Sequence, residues 1–291
     1  MFWLSAKYCR LAQLQTFKTD RAKTSLIRLL SRFVAQPWPD TDSTIMALNI
    51  HATKAMKALT TAAITSVLVK QGLRNVWIRG SRVMHPEQSR VAGNAFTLRF
   101  IPGREDLTTH ESLFSAKSTR VAIEHMPEGC VAVVDACGIT DAGIFGDILC
   151  TRMVLRTVAG LVTDGAVRDW DGVKRTGLPV WCAGASALPS LAHLTFVDWQ
   201  QPIACGGVAV CPNDVIVADQ DGAVVIPEAM VDAVIHSSNE AEALEEWIHE
   251  EVRAGKELPG LYPPDSDTKA RYERSRLGSG KRTFSVDDPS F

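Results

Sequence analysis

The chain has 291 residues, 46% of them hydrophobic, and a formal net charge of −2. That length suits one large domain or two small ones. The charge lacks the Lys and Arg excess of a general nucleic-acid binder, and no apolar run approaches the roughly 18 residues needed to cross a bilayer.

Residues 1–36 carry seven Lys or Arg against Asp20 alone, which leaves −8 on the rest of the chain. A basic, acid-poor leader with Leu and Phe at helical spacing reads either as a mitochondrial presequence or as an extension upstream of a start at Met46. Both readings set residues 1–45 apart, place the domain at 46–258, and leave 259–291 as a tail rich in Pro, Ser and charge that wraps the surface or frays. The seven cysteines (Cys9, Cys130, Cys137, Cys150, Cys182, Cys205 and Cys211) form no CxxC pair and lie mostly in apolar runs. They read as buried thiols of a reducing compartment, not as a disulfide framework or a zinc site.

Within the domain, Met56, Leu59, Ala62, Ala63 and Val67 recur at three- and four-residue spacing, which predicts one amphipathic helix from His51 to Lys70. Asn75 to Ile78 and Val91 to Ile101 read as strands, with Gly93 a bulge or a point of close approach. Pro102 to Leu107 is a turn into a helix reaching about His125, and Asp106 with Thr109 can cap that helix.

Residues 130–186 are the centre of the chain. Three apolar runs, Val131 to Val134, Gly160 to Thr163 and Pro179 to Cys182, alternate with two helical segments. That is a βαβαβ pattern, with parallel strands and helical crossovers. Acidic and basic residues gather at the segment ends (Asp135, Asp141, Asp147, Asp164, Arg168 and Asp169), where such sheets build their sites. On the residues alone Asp147 reads as a helix cap and Arg168-Asp169 as a solvated pair or a helix start. Farther on, Gly206 to Val210, Val215 to Asp219 and Ala223 to Ile226 are apolar runs with an Asp221-Gly222 hairpin turn. Turn chemistry accounts for Asp214, Asp219 and Asp221. Glu228 to Arg253 is an acidic amphipathic helix.

Gly146-Asp147-Ile148-Leu149 opening a helix, then Asp164-Gly165-Ala166-Val167-Arg168-Asp169, Pro179-Val180-Trp181 and the later GGVAVCPNDVIVADQDGAVVIP, resemble the RraA-like superfamily. The resemblance runs from about Leu59 to about Ala254. That superfamily holds divalent-metal-dependent 4-hydroxy-4-methyl-2-oxoglutarate aldolases, oxaloacetate decarboxylases and a protein that inhibits RNase E. The resemblance implies an α/β fold, a central β-sheet flanked by helices like the swivelling phosphohistidine-domain-like fold, assembled as a homotrimer or homohexamer. It further implies a cytoplasmic lyase that releases pyruvate from a small anionic α-keto acid, or a mitochondrial-matrix one if the leader is a presequence. Two alternatives stay open: an aldolase or dehydratase of a sugar-acid-derived keto acid, and a non-catalytic RNase E regulator.

Residue by residue, the resemblance gives Asp169 the divalent ion, Mg²⁺ or Mn²⁺, and gives Arg168 the keto oxygen that becomes an enolate. Asp147 orders a water for proton transfer. Gly146 and the N–H groups of Ile148 and Leu149 take the pyruvyl carboxylate, and Asp106 stands where the aldolases place an Asn near the substrate. The chain departs from the pattern in two other places. Gly172 replaces an acidic residue three positions after Asp169, and Ala192 stands near the place of a Lys. A Glu of the acidic C-terminal helix, coming from a neighbouring subunit, is a further expected contributor.

Overall fold

The computed structural model describes residues 50–278; the expected leader, residues 1–45, lies outside the described residues. The order of elements follows from where the chain can cap, turn and alternate. Helices α1 (Ile50–Ala58) and α2 (Thr61–Lys70) replace the single helix expected over His51 to Lys70. Thr60 breaks it: the residue is extended, its side chain accepts from the Ala63 N–H at 3.1 Å, and its own N–H donates to Glu242 at 3.1 Å. A new cap therefore outcompetes helical continuation. The stretch from Asn75 to Ile78 is reduced to one antiparallel bridge, Trp77 to Val224.

Strands β1 (Arg82–Val83) and β2 (Val91–Pro102) follow, then a 3-10 turn at Glu111–Phe114 and helix α3 (Thr119–His125). The helix expected after Pro102 is thus confined to its last seven residues. Its cap is Ser118, whose side chain accepts from the Val121 N–H, and not Asp106. The central stretch then gives β3 (Val131–Asp135), α4 (Asp147–Leu155), β4 (Gly160–Thr163), β5 (Ala166–Val167), α5 (Trp170–Thr176), β6 (Val180–Cys182) and β7 (Gly184–Ala185). Strand β8 (Leu194–Trp199), the hairpin β9 (Val215–Asp219) and β10 (Gly222–Ile226), α6 (Val231–Arg253) and α7 (Ser266–Gly278) complete it. Part of the expected tail is therefore helix, fastened by Arg271, which bonds Glu251 on α6 at 3.2 Å and stacks over Trp247. Gly206 to Val210 makes no strand; Gly206 sits at φ 56° in a tight turn.

The main sheet runs β1-β6-β4-β3-β2-β9-β10, with β8 also on β2. Strands β2, β3, β4 and β6 are parallel neighbours, joined by helical crossovers from β3 onward, as the βαβαβ pattern predicts. The long β2 serves two antiparallel partners, β9 along Val91 to Asn94 and β8 from Leu98 onward, with a register shift at Arg99/Phe100 that curls the sheet. Gly93 is the close approach anticipated: a Cβ there would lie 2.3 Å from the Gly129 carbonyl oxygen. Phe96, Leu98, Ala132, Val134 and Leu161 pack on one side with Met153 and Val173 of the crossover helices. Val131, Val133, Val162 and Trp181 share a second cluster with Ile216 and Ala218 of β9. Burial of each such side chain contributes about 1.5–3 kcal/mol. Among the described residues no helix is long and apolar enough to cross a membrane.

Candidate functional site

Ligand sites of open parallel sheets lie beyond the carboxyl ends of the strands, and here the loops that leave β3 and β4 at that end lead to the amino ends of α4 and α5. Two buried carboxylates shape those loops. Asp164 accepts from the N–H groups of Ala136 (2.8 Å), Gly138 (3.0 Å) and Gly206 (3.0 Å). Asp135 accepts from Cys137 (2.9 Å) and Ala204 (3.1 Å). Burial pushes the Asp164 carboxyl up from the ordinary range, against the lowering effect of its three N–H donors. Both residues are thus anchors of backbone, not reactive groups. Asp214 is spent on a turn, accepting from the Cys211 N–H at 2.8 Å, and Asp219 on its own turn and the start of α2, accepting from the Asp221 N–H at 3.0 Å and from the N–H and hydroxyl of Thr61 at 2.9 and 2.7 Å.

The anchored loop passes residues 143–146 along β5. Ile144 donates to the Ala166 carbonyl at 2.9 Å, and Arg168 donates back to the Phe145 carbonyl at 3.0 Å. This stitching brings the start of α4 against Arg168-Asp169, although twenty residues separate Asp147 from Arg168. A cavity of about 530 Å³ opens there, lined by Leu113, Thr119, Arg120, Gly143, Ile144, Gly146, Asp147, Ile148, Leu149, Arg168, Asp169, Pro189, Ser190 and Leu191.

Three glycines make the close packing possible. A Cβ on Gly143 would stand 2.7 Å from the Arg168 Cβ, one on Gly146 would stand 2.4 Å from Asp169 Oδ2, and one on Gly172 would stand 2.7 Å from Asp147 Oδ2. Each chemically able side chain is therefore seated on a residue without one. Gly172 acquires a reason here: the place three residues after Asp169 is kept empty because the Asp147 carboxylate lies against it.

The local backbone adds a second sign. Asp169 precedes α5 in the left-handed region, φ 55° and ψ 46°, with no side-chain bond to the helix it starts. Asp tolerates that conformation better than most residues, but it still costs about 1–3 kcal/mol, a cost typically found where geometry serves a site. Its side chain is 46% exposed and lies 3.6 Å from Arg168 Nε. That Nε is buried and has no hydrogen-bond partner, so an acceptor in the cavity would satisfy it.

Asp147 is the first residue of α4, capped by Gly146, and Asp147 Oδ1 accepts from the Ile148 N–H at 2.8 Å. Of the two N–H groups expected to hold a carboxylate, that of Ile148 is already engaged, while that of Leu149 belongs to the unpaired first turn. The positive end of the α4 dipole favours an anion at this place. Asp106 stands apart: it does not line the cavity, and both of its carboxylate oxygens are held by Arg104 at 2.7 and 2.6 Å. That pairing with the guanidinium holds its carboxyl below the ordinary range. Ala192 and His193 are exposed, and only their neighbours Pro189, Ser190 and Leu191 reach the cavity.

Sequence reasoning missed Arg120. It lies in the first turn of α3, which the sequence pattern had merged into a longer helix, and nothing in its spacing from Asp147 or Arg168 marks it. Among the described residues no group of three or more His, Cys, Asp and Glu could hold a metal. Among the described residues the hard oxygens of Asp147 and Asp169 are the only carboxylates lining the cavity, which suits an ion such as Mg²⁺ that keeps several waters and takes one or two protein carboxylates.

Comparison with known proteins gives the family and the fold. The family model RraA-like (Aldolase/RraA) matches residues 53–225. A protein of Halalkalibacterium halodurans named "Putative 4-hydroxy-4-methyl-2-oxoglutarate aldolase" is 31% identical over 160 residues, covering 55% of this chain and 70% of that protein. Protein DlpA of Legionella pneumophila is 27% identical over 193 residues, 66% of this chain; the match spans 30% of DlpA's length. Among solved structures, Streptomyces coelicolor RraAS2, described as an unusual member of the RNase ES inhibitor RraA protein family, superposes with a TM-score of 0.62 at 29% identity, covering 73% of this chain and 98% of that one. The matched span includes the whole cavity-bearing centre of the fold, and the chain belongs to the RraA-like (Aldolase/RraA) family.

Proposed function

We propose that the protein is a divalent-metal-dependent carbon–carbon lyase that releases pyruvate from a small α-keto acid, by aldol cleavage of the 4-hydroxy-4-methyl-2-oxoglutarate type and by decarboxylation of oxaloacetate. The observation that carries the proposal is the convergence of Asp147, Arg168 and Asp169 on one cavity at the amino end of α4. Asp169 with its exposed oxygens is the residue to hold Mg²⁺ or Mn²⁺. When bound there, such an ion supplies Lewis-acid polarisation of a keto oxygen.

The chain's own groups divide the remaining work. The first-turn N–H of Leu149 and the α4 dipole bind the carboxylate next to the keto group. Arg168, with a buried Nε lacking an acceptor, donates to the keto oxygen and strengthens that bond as the C3–C4 bond breaks and its electron pair delocalises into the enolate. Asp147 holds a water that takes the proton of the C4 hydroxyl in aldol cleavage and returns a proton to C3 of the enolate, giving pyruvate. In decarboxylation the leaving fragment is CO₂, and no hydroxyl proton is removed. Ile148 and Leu155 leave α4 with exposed apolar surface, 79% and 69% exposed, which supports the homotrimer or homohexamer as a proposal.

The Asp147→Asn variant tests this assignment. It is expected to slow aldol cleavage by about 10²–10⁴, the usual contribution of a positioned base, and to affect oxaloacetate decarboxylation much less, both measured as pyruvate formed. Equal losses in the two reactions would show that Asp147 only holds the start of α4, and its proton-transfer role would fall.

A further inference from the structure

Several cations on the elements next to the cavity are committed elsewhere. Lys117 is paired with Asp198, Arg104 with Asp106, and Arg152 with Glu124. Arg120 is different. It lines the cavity from α3, on an element separate from those that carry Arg168 and Asp169, and no described residue pairs with it.

The balance of charge in the cavity gives this guanidinium a task. Among the described residues the charged ones that line it are Arg120, Arg168, Asp147 and Asp169, which balance to zero. A divalent ion at Asp169 would leave two positive charges, one more than a monocarboxylate neutralises and as many as a dicarboxylate brings. Arg168 is assigned to the keto oxygen and the α4 amino end to the adjacent carboxylate, so Arg120 remains for a second anionic group. A guanidinium suits such a role because its fork of N–H donors matches the two oxygens of a carboxylate.

Resting on the pyruvate-releasing reading above, we infer that Arg120 is the specificity-determining residue of this cavity: it holds the distal carboxylate of 2-oxo dicarboxylates and so selects them over 2-oxo monocarboxylates. Thr119 and Ser190, which line the cavity as well, supply hydroxyls beside that second group. Ala192 contributes no cation, and none is needed from that side.

The test is binding without turnover, by isothermal titration of the full chain in Mg²⁺ with two probes, 2-oxoglutarate and 2-oxobutyrate. The intact protein is expected to prefer 2-oxoglutarate. Arg120→Gln is expected to weaken 2-oxoglutarate by about 10- to 100-fold, the range for a lost hydrogen bond to a charged group, while 2-oxobutyrate is unchanged; Arg120→Lys is expected to retain part of the preference. Arg120 is exposed, so the melting curve of each variant should match that of the intact protein. Equal weakening of both probes, or of neither, would overturn the assignment of Arg120 and leave the lyase reading standing. Failure of both probes to bind the intact protein would overturn that reading, and this inference with it.

Discussion

Replacing Asp169 by Ala is expected to abolish divalent-metal-dependent turnover, by about 10³-fold or more, while leaving a folded protein. The loss follows from the several kcal/mol that a bound ion supplies to developing charge, at about 1.4 kcal/mol for each tenfold in rate. The survival of the fold follows from the residue's position: half-exposed, without a side-chain hydrogen bond to α5, and outside the core. Ala at φ 55° loses the local tolerance that Asp has for the left-handed region, so a destabilisation of about 1 kcal/mol is expected in the melting curve. Asp169→Asn removes that complication, since Asn accepts the same backbone. Both variants should lose activity alike, with Asn melting closer to the intact protein. Pyruvate formation at the normal rate by a folded Asp169→Asn protein would remove Asp169 from the site.

Arg168→Ala is expected to slow aldol cleavage and decarboxylation together, each by about 10²–10³, the cost of losing one preorganised donor at the developing oxyanion. The effect should fall on kcat more than on KM, because the bond to the keto oxygen is strongest when the enolate forms. Arg168→Lys should recover little. The orphaned donor is Nε, within the planar guanidinium, and an ammonium on a flexible stem does not reproduce that position. A fall in one reaction only, or a rise in KM with kcat intact, would mean that Arg168 binds substrate without stabilising the transition state.

Much of the fold could be read from the sequence because its centre obeys a local rule. The runs Val131 to Val134, Gly160 to Thr163 and Pro179 to Cys182 are buried parallel strands, as continuous apolar runs between helices imply. Periodicity failed where a side chain from far along the chain intervened: Glu242 and Asp219 hold Thr60 and Thr61 and split the first helix. It failed again near Asp106, where an exposed pair with Arg104 holds a residue that local pattern had assigned to a cap and the family resemblance to a substrate contact.

The strand ends and the helix start marked Asp147, Arg168 and Asp169 as residues that the fold gathers at one end of the sheet, while the roles proposed for them came from the family resemblance. Gly172 stands as a departure from the family pattern, and the structure sets the Asp147 carboxylate against it. Arg120 carried no signal at all. Its place on the cavity depends on how α3 packs across the end of the sheet, a tertiary fact that spacing along the chain does not record.

The most direct measurement of the central claim is pyruvate release by the full chain from oxaloacetate, 4-hydroxy-4-methyl-2-oxoglutarate and several 2-keto-3-deoxy sugar acids, each with Mg²⁺ or Mn²⁺ and again with excess chelator. Release from at least one of the first two, above the rate of the same mixture without protein, that stops with chelator and returns on adding the ion is the predicted result. No release above the protein-free rate from any of these acids, or a protein-dependent release indifferent to the chelator, would contradict the account.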